Sequence, residues 1–176
     1  MTSSRQHAAP GGVERSPARE PTLAERSRTL IHLGRVGTLS TQSRRIPGFP
    51  FGSVMPYASD GLGRPMFLIS SMAVHTQNLR ADARASLLVA EMSGGDPLGC
   101  ARITLVGEVR PVPEVETAAV RELYLSRHEN VRYWAEFGDF GYFRMEPAQV
   151  YFIGGFGVMG WIPAEEYAGS QPDPER

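Results

Sequence analysis

The chain has 176 residues, among them 18 arginines, no lysine and 19 acidic residues, and its formal net charge is −1. This length suits a single domain with a substantial core. The near-neutral charge argues against a nucleic-acid binder, and no apolar run approaches the roughly 20 residues of a membrane-spanning helix. Because lysine is absent, Schiff-base chemistry and a phosphate-loop lysine are excluded. Any bound anion must be held by arginine, histidine, hydroxyls or backbone amides.

The two ends of the chain differ in composition from its middle. Residues 1–21 are rich in Pro, Ser, Arg, Gly and Ala and show no apolar period, so we expect a disordered tail. A secretory signal would need an apolar stretch, and Glu14 and Glu20 argue against an organelle transit peptide. We expect the folded domain to span residues 22–163 and a flexible tail to follow over residues 164–176.

A capping-box pattern opens the domain, because Thr22 is followed three residues later by Glu25, and Gly34 marks the end of this first helix. Pro56 inside a later predicted strand indicates either an edge position or a bulge. The remaining predicted elements are, in chain order, a strand at 36–41, a hairpin of strands 53–57 and 66–69, a helix at 70–79, strands at 85–91 and 102–110, a helix at 113–126, a short helix carrying Val131 and Trp134, and strands at 141–145 and 150–153.

The predicted strands number about six and outnumber the helices. They do not alternate with helices one for one, as they would in a doubly wound parallel sheet. The pattern therefore predicts a mainly β fold with helical inserts, arranged as an antiparallel barrel.

Two motifs that could carry chemistry are rejected on their context. Residues 155–160 match the dinucleotide pattern G-x-G-x-x-G, but the motif needs a helix that opens at the glycines and an acidic residue about 20 positions later. Pro163 follows within three residues and the chain ends at Arg176, so we interpret the stretch as a turn.

A metal site is not predicted either, because the four histidines lie far apart in the sequence and Cys100 has no close thiol or imidazole partner. The same single cysteine cannot form an internal disulfide, which favours a cytoplasmic location.

The stretch from Ser70 to Thr76 runs from a predicted strand into the mouth of a predicted helix. The Ser71 hydroxyl, the first helical amides and the positive end of the helix dipole suit a phosphate, and His75 adds a donor. N-capping by Ser71 explains the same residues equally well. Arg102, which begins the polar face of a strand after a Gly-rich loop, is the best-placed permanent positive charge for an anion.

Aromatic residues are concentrated in the last third of the chain. They suit either a planar ligand or, more commonly, a core or dimer interface. The set consists of Tyr133, Trp134, Phe137, Phe140, Tyr142, Phe143, Tyr151, Phe152 and Phe156.

Taken in chain order, the sequence resembles the FMN-binding split barrels related to pyridoxamine 5′-phosphate oxidase, and within them the haem-utilisation branch. The ordered set of stretches that carries the resemblance spans about residues 23–162. The matching stretches are 37–41, 49–57, 60–69, 70–71 with 75–79, 84–89, 96–98, 101–107, 137–140 and 154–157.

The resemblance implies an antiparallel split β-barrel that forms a homodimer, with FMN at each subunit interface and an oxidoreductase activity on an unknown small molecule. The protein would position the flavin and tune its electronics. The residues that the resemblance places at the cofactor are Ser53, Val54, Met55, Ser70, Ser71, His75, Thr76, Asn78 and Arg102. No nucleic-acid or membrane partner is expected.

The sequence departs from the oxidases at the phosphate. Where they have a phosphate-binding lysine and a glutamine, this chain has His75 and Arg102, and the C-terminal arginine–histidine pair is absent. If His75 carries the charge at the phosphate, FMN affinity falls as the pH rises. The chain has no histidine after His128 to act as a C-terminal haem ligand. A deazaflavin coenzyme, haem binding or degradation, and a non-catalytic regulatory dimer are the alternatives that remain open.

Overall fold

The computed structural model describes residues 19–91, 96, 98–155 and 157–174, so most of the tail predicted at residues 1–21 lies outside the described residues. In this part of the chain eight strands form one antiparallel sheet, with four α-helices and two short 3-10 helices. The strands are β1 (Val36–Gln42), β2 (Pro50–Pro56), β3 (Ala58–Ser59), β4 (Pro65–Ser70), β5 (Arg84–Ala90), β6 (Arg102–Pro111), β7 (Phe140–Ile153) and β8 (Met159–Pro163). The helices are α1 (Leu23–Leu33), α2 (Val74–Ala81), α3 (Glu114–Arg127) and α4 (Ala164–Gly169), and the 3-10 helices are Glu129–Val131 and Trp134–Glu136.

The strand order is β2-β1-β5-β6-β7-β4-β3, with β8 paired to β7. The mainly β architecture with helical inserts, an antiparallel split β-barrel, is therefore confirmed. The barrel encloses a core in which alternate residues of the strands are fully buried. Its largest members include Leu39, Tyr57, Phe67, Leu87, Ile103, Leu105 and Met145. No helix among the described residues is long and apolar enough to cross a membrane.

Strand β7 is the element that joins the sheet together. Its first residues, 140–144, pair with β4, its last residues, 149–153, pair with β8, and residues 143–153 pair with β6 on the other side. The sequence predicted two short strands here, which is wrong. They are the two halves of one strand, interrupted by an irregularity near Pro147.

That irregularity is a β-bulge. Val106 lies opposite Gln149 and the next residue, Gly107, lies opposite Pro147, so Ala148 is an extra residue on β7. Such a bulge bends a strand and increases its twist. A Cβ atom at Gly107 would lie 2.1 Å from the Glu146 carbonyl oxygen, so only glycine fits at this approach.

The predicted hairpin between strands 53–57 and 66–69 is also wrong. Strand β2 pairs instead with β1, with Val54 opposite Thr38, and forms the edge of the sheet as the proline in it indicated. The hairpin partner of β4 is the two-residue strand β3. Pro56 has no N–H group and ends β2, after which the Tyr57 N–H donates to the Arg35 carbonyl at 2.9 Å.

The first helix begins and ends as predicted. The Thr22 hydroxyl accepts from the Glu25 N–H at 3.2 Å, and the Glu25 carboxylate accepts from the Thr22 N–H at 2.8 Å. Gly34 is the C-terminal cap. The stretch after the glycines at 155–160 is a strand, β8, and the Gly154 N–H donates to the Val158 carbonyl at 2.8 Å to close the turn before it.

The flexible tail expected from residue 164 is wrong for residues 164–169, which form α4. The Tyr167 side chain in this helix is buried, and its hydroxyl donates to the Gly63 carbonyl at 2.8 Å. The buried Arg28 guanidinium donates to the carbonyls of Tyr167 at 3.2 Å and Gly61 at 2.6 Å. Sequence reasoning missed these contacts because each joins residues that are at least 33 positions apart.

The bulge at Ala148 yields a test of the fold. We expect Gly107→Ala to lower the free energy of unfolding by about 1–3 kcal/mol, because its methyl group would overlap the Glu146 carbonyl. Gly141→Ala, in the neighbouring strand β7, is the matched control, because a Cβ atom there meets nothing closer than 3.9 Å. Urea unfolding of both variants measures the difference. Equal stabilities would contradict the close approach at Gly107.

Candidate functional site

An apolar pocket of about 350 Å³ lies where the ends of β2 and β4 meet the start of β7. Strand β2 packs near β4 at this point, and helix α3 covers one side, with the Tyr124 hydroxyl 3.4 Å from the Pro56 carbonyl oxygen. Burial raises the pKa of Tyr124 to about 12, so its hydroxyl stays protonated at neutral pH. The residues that line the pocket are Pro56, Leu68, Tyr124, Val131 and Phe140.

A ladder of aromatic rings leads from this pocket to solvent. The Phe140 ring, in the pocket wall, lies 6.5 Å from the Phe137 ring, which meets the Tyr133 ring edge-on at 4.8 Å. Tyr133 is 70% exposed. The aromatic residues predicted as one cluster therefore fall into two groups. Phe143 and Phe152 belong to the core, whereas the rings of Tyr133, Phe137 and Phe140 present flat apolar surface beside the pocket.

Two polar residues, called here the pocket margin, adjoin the lining along the chain: Ser70 lies two positions after Leu68, and Asp139 precedes Phe140. Ser70 ends β4 opposite Phe140, and its hydroxyl donates to the Asp139 carboxylate at 2.7 Å. The Asp139 carbonyl accepts from the Ser71 N–H, also at 2.7 Å. A carboxylate at this position repels an anion such as a phosphate. Sequence reasoning did not single out Asp139, although residues 137–140 are among the stretches that carry the resemblance.

N-capping by Ser71 would start helix α2 at Met72. The helix begins two residues later, at Val74, and its N-cap is Ala73, with no side-chain hydrogen bond. The Thr76 side chain is fully buried, and its hydroxyl donates to the Ser70 carbonyl at 2.7 Å. His75 is half-buried in the first turn, and burial lowers its pKa below the usual 6.5. Its imidazole is therefore neutral at pH 7, with a lone pair available.

Asn78 lies inside the protein and holds the loop that precedes β2. Its side-chain amide donates to the Thr41 hydroxyl at 3.0 Å, and its side-chain oxygen accepts from the Arg44 N–H at 2.9 Å. Asn78 is 1% exposed. Within this protomer its polar atoms are already engaged in positioning the loop 43–49.

The three predicted site residues of β2 have different surroundings. Met55 is part of the core, at 2% exposure, whereas Ser53 is half-buried. Val54 points to the opposite side of the sheet and is 77% exposed. Val54 and the pocket residue Pro56 share that side of the strand, so the pocket continues into the exposed face of the sheet.

Arg102 is not close to the Ser70–His75 stretch within one protomer. Arg102 pairs with Ile153 at one end of β7, whereas Ser70 pairs with Phe140 at the other end. The two pairing positions are the last and the first residue of this 14-residue strand. The Arg102 guanidinium donates to the carbonyls of Leu98 and Cys100, both at 3.2 Å.

The exposed side of β2, β1, β5, β6, β7 and β8, called here the outer sheet face, carries an unusual amount of apolar surface. One cross-strand row runs Val54, Thr38, Leu88, Thr104, Tyr151 and Trp161. The large apolar residues of this face are between 40% and 77% exposed. They are Val36, Val54, Leu88, Val106, Met159 and Trp161.

No group of three His, Cys, Asp or Glu side chains that could hold a metal ion occurs in the described ranges. The pocket offers an apolar and aromatic surface, and its lining carries no charged side chain. This arrangement suits a planar apolar ligand better than a small polar substrate.

The sequence model of the family described as CREG, beta-barrel matches residues 18–169. The non-canonical heme oxygenase HOZ of Arabidopsis thaliana, a chloroplastic protein, is 39% identical over 154 residues. That match covers 85% of this chain and 47% of the plant protein, so the chain spans about half of that relative's length.

Solved structures agree with the sheet described above. A heme binding protein from Mycobacterium smegmatis superposes with a TM-score of 0.83 at 34% identity, over 89% of this chain and 64% of that one. A FAD-binding protein from Mesorhizobium loti superposes with a TM-score of 0.55 at 21% identity, over 69% of this chain and 84% of that one. The second likeness concerns the fold alone.

The buried amide of Asn78 yields a test of the site's architecture. We expect Asn78→Ala to lower the free energy of unfolding by about 1–3 kcal/mol and to speed hydrogen exchange in residues 43–49, because the Arg44 N–H loses its acceptor. Val74→Ala, also on α2 but 49% exposed, is the control and should change stability far less. Hydrogen exchange in residues 43–49 that is unchanged by Asn78→Ala would show that the loop is held by other contacts.

Proposed function

Because the chain belongs to the CREG β-barrel family, we propose that it is a haem-binding protein whose ligand occupies the apolar pocket at the ends of β2 and β4. The observation that carries the proposal is the pocket itself, an apolar cavity with an aromatic ladder at its side and no permanent positive charge in its lining. A macrocycle with an apolar body suits such a surface. One relative at 39% identity is described as a heme oxygenase and one solved structure at 34% identity as a heme binding protein, which supports the same ligand.

His75 is the residue we propose as the iron ligand. Imidazole binds iron in its neutral form, and burial keeps His75 neutral at pH 7. The other described histidines are less suitable. His32 is exposed on α1, and a ring nitrogen of His128 already lies 2.8 Å from the Tyr57 carbonyl oxygen. Bound haem would supply the redox chemistry, and the chain would orient it and restrict access of water.

FMN is the second candidate, and the same pocket would receive its ring. The first turn of α2 leaves backbone amides without partners in the helix, and Ser71 lies before it, which favours a phosphate. The Asp139 carboxylate at Ser70 and the neutral state of His75 oppose one. For this reason we rank haem ahead of FMN. A deazaflavin coenzyme also carries a phosphate, so the same two groups disfavour it.

We also propose that the outer sheet face packs against a second copy of the chain. Its apolar side chains are exposed in one protomer, and such contiguous patches are typical of interfaces. The pocket opens toward this face through Pro56 and Val54, so a second copy would complete the cavity. Arg102, distant from the pocket within one protomer, would then serve a site formed by both copies.

Ligand titrations test the proposed function. We expect the purified chain to bind haem with one ligand per protomer and a shifted Soret band, and to bind FMN at least tenfold more weakly, because the pocket margin carries a carboxylate. Soret absorbance measures haem, and quenching of flavin fluorescence measures FMN. Tighter binding of FMN than of haem would reverse the ranking, and binding of neither would favour a non-catalytic dimer.

The iron ligand can be tested separately. We expect His75→Ala to weaken haem binding at least tenfold, with recovery of the Soret band when imidazole is added to the solution, because free imidazole can occupy the vacated position. His32→Ala is the control and should bind haem as the unmodified chain does. A His75→Ala variant with full affinity and an unaltered spectrum would exclude His75 as the ligand.

The interface is tested by charge placed on the outer sheet face. We expect the double substitution Val54→Glu/Leu88→Glu to convert a dimer into a monomer in sedimentation velocity experiments, because two carboxylates would be buried without partners. Val115→Glu is a matched control, since Val115 is 93% exposed on α3 and lies away from this face. A dimer that persists in the double variant would place the interface elsewhere.

A further inference from the structure

Two exposed groups of opposite charge flank the outer sheet face. Arg44 and Arg45, called here the loop arginines, belong to the loop 43–49 that joins β1 to β2. Glu165 and Glu166, called here the helix glutamates, form the first turn of α4, which follows β8. Among the residues that the structure describes, none of these four side chains takes part in an ion pair. Their charges are therefore available to a partner.

The pairing of the strands places both groups at the same end of the sheet and at opposite edges of it. The loop 43–49 follows the end of β1, and α4 starts directly after Pro163. Six adjacent strands at about 4.8 Å spacing separate the two groups by roughly 24 Å, too far for an ion pair within one protomer. The cross-strand row next to both groups runs Gly52, Ser40, Ser86, Val106, Gln149 and Pro163.

Both groups stand on backbone that is fixed to the body of the protein. The Arg44 N–H donates to the Asn78 side-chain oxygen at 2.9 Å, and the Arg44 guanidinium donates to the neutral Gln77 side chain at 3.1 Å. On the other edge, the Tyr167 hydroxyl holds α4 through the Gly63 carbonyl at 2.8 Å. Pairing between such groups therefore requires little ordering of the chain.

The apolar side chains of the same two edges match each other as well. Val54 on β2 and Trp161 on β8 stand at the two ends of one cross-strand row and are 77% and 63% exposed. A two-fold axis that runs parallel to the strands, between β5 and β6, turns the β2 edge of one copy onto the β8 edge of the other. Val54 then meets the partner's Trp161, and the loop arginines meet the helix glutamates of the partner.

Charge opposes the alternative axis, which is perpendicular to the strands. That axis would turn the β2 edge of one copy onto the β2 edge of the other with the strand ends exchanged. The loop arginines would then approach Arg35 and Arg127, because Arg35 precedes the Val36–Pro56 pair at the far end of β2 and donates to the Arg127 carbonyl at 2.7 Å. Like charges placed together at an interface repel each other.

We propose that two copies pack their outer sheet faces about an axis parallel to the strands, and that the loop arginines of each copy pair with the helix glutamates of the other. The inference rests on the proposed self-association through this face and specifies its geometry. Because a two-fold axis repeats every contact, the dimer has two such charged contacts, one on each side of the apolar row. Arginine suits this role because its guanidinium donates paired hydrogen bonds to a carboxylate.

Charge reversal on each edge, followed by mixing, tests the arrangement. We expect Arg44→Glu/Arg45→Glu and Glu165→Arg/Glu166→Arg each to weaken dimerisation at least tenfold at low ionic strength, because like charges then oppose each other at both contacts. An equimolar mixture of the two variants should recover the affinity of the unmodified chain, since every contact in the mixed dimer again joins opposite charges. Sedimentation velocity over a series of concentrations measures the dissociation constants.

The control reverses two charges elsewhere. Glu114→Arg/Glu122→Arg changes two exposed glutamates of α3 and should dimerise as the unmodified chain does, because α3 lies away from the outer sheet face. Recovery on mixing also distinguishes a lost ion pair from a damaged fold, since a misfolded variant would not recover its affinity when the second variant is added.

The outcomes separate this inference from the proposed interface. If the charge-reversed variants dimerise as tightly as the unmodified chain, or if mixing them recovers nothing, the loop arginines do not meet the helix glutamates. The outer sheet face would still be the interface in that case if Val54→Glu/Leu88→Glu abolishes the dimer. If the unmodified chain is a monomer, the proposed interface fails, and the arrangement of charges fails with it.

Discussion

The bend in strand β7 determines where every other part of the molecule lies. One strand of 14 residues has to pair with β4 at its start, with β8 at its end and with β6 along most of its length. The extra residue Ala148, opposite the close approach of Gly107, gives the strand the curvature that a barrel requires. The start of β7 then lies at the pocket, and its end contributes to the outer sheet face.

The chemistry of the pocket follows from what surrounds it. Apolar and aromatic residues line it, and the Ser70 hydroxyl at the end of β4 already donates to the Asp139 carboxylate. Thr76 and Asn78 are likewise engaged in internal hydrogen bonds. A phosphate would meet a carboxylate and a neutral imidazole, whereas a flat apolar macrocycle would meet apolar and aromatic side chains. The same residues that weaken the flavin hypothesis therefore favour haem.

Local patterns predicted local structure well. The capping box of Thr22 and Glu25, the stop at Gly34 and the alternation along β6 all appear in the structure as the sequence indicates, because each depends on residues a few positions apart. The pattern of strands and helices predicted only an antiparallel barrel. The more specific prediction of a split barrel came from the family resemblance.

The errors concern contacts between distant residues. The pairing of β2 with β1 instead of β4, the bulge that unites β7 and the burial of Tyr167 in α4 each depend on residues brought together by the fold. The position of Asp139 at Ser70 is of the same kind, since 69 residues separate the two groups. Composition pointed usefully to arginine as the residue that must hold an anion. Only the structure shows which arginines lack a carboxylate partner.

The central claim is that a neutral His75 holds a haem iron, and the pH dependence of haem affinity tests it most directly. Burial lowers the pKa of His75 below 6.5, so the neutral ligand form is present at pH 7 and is lost on acidification. The account predicts a constant haem affinity from pH 8 to about 6.5 and a decline of up to about tenfold per pH unit below the pKa, absent in His75→Ala. An affinity that rises as the pH falls, as expected for a charged imidazolium that grips an anion, would contradict it.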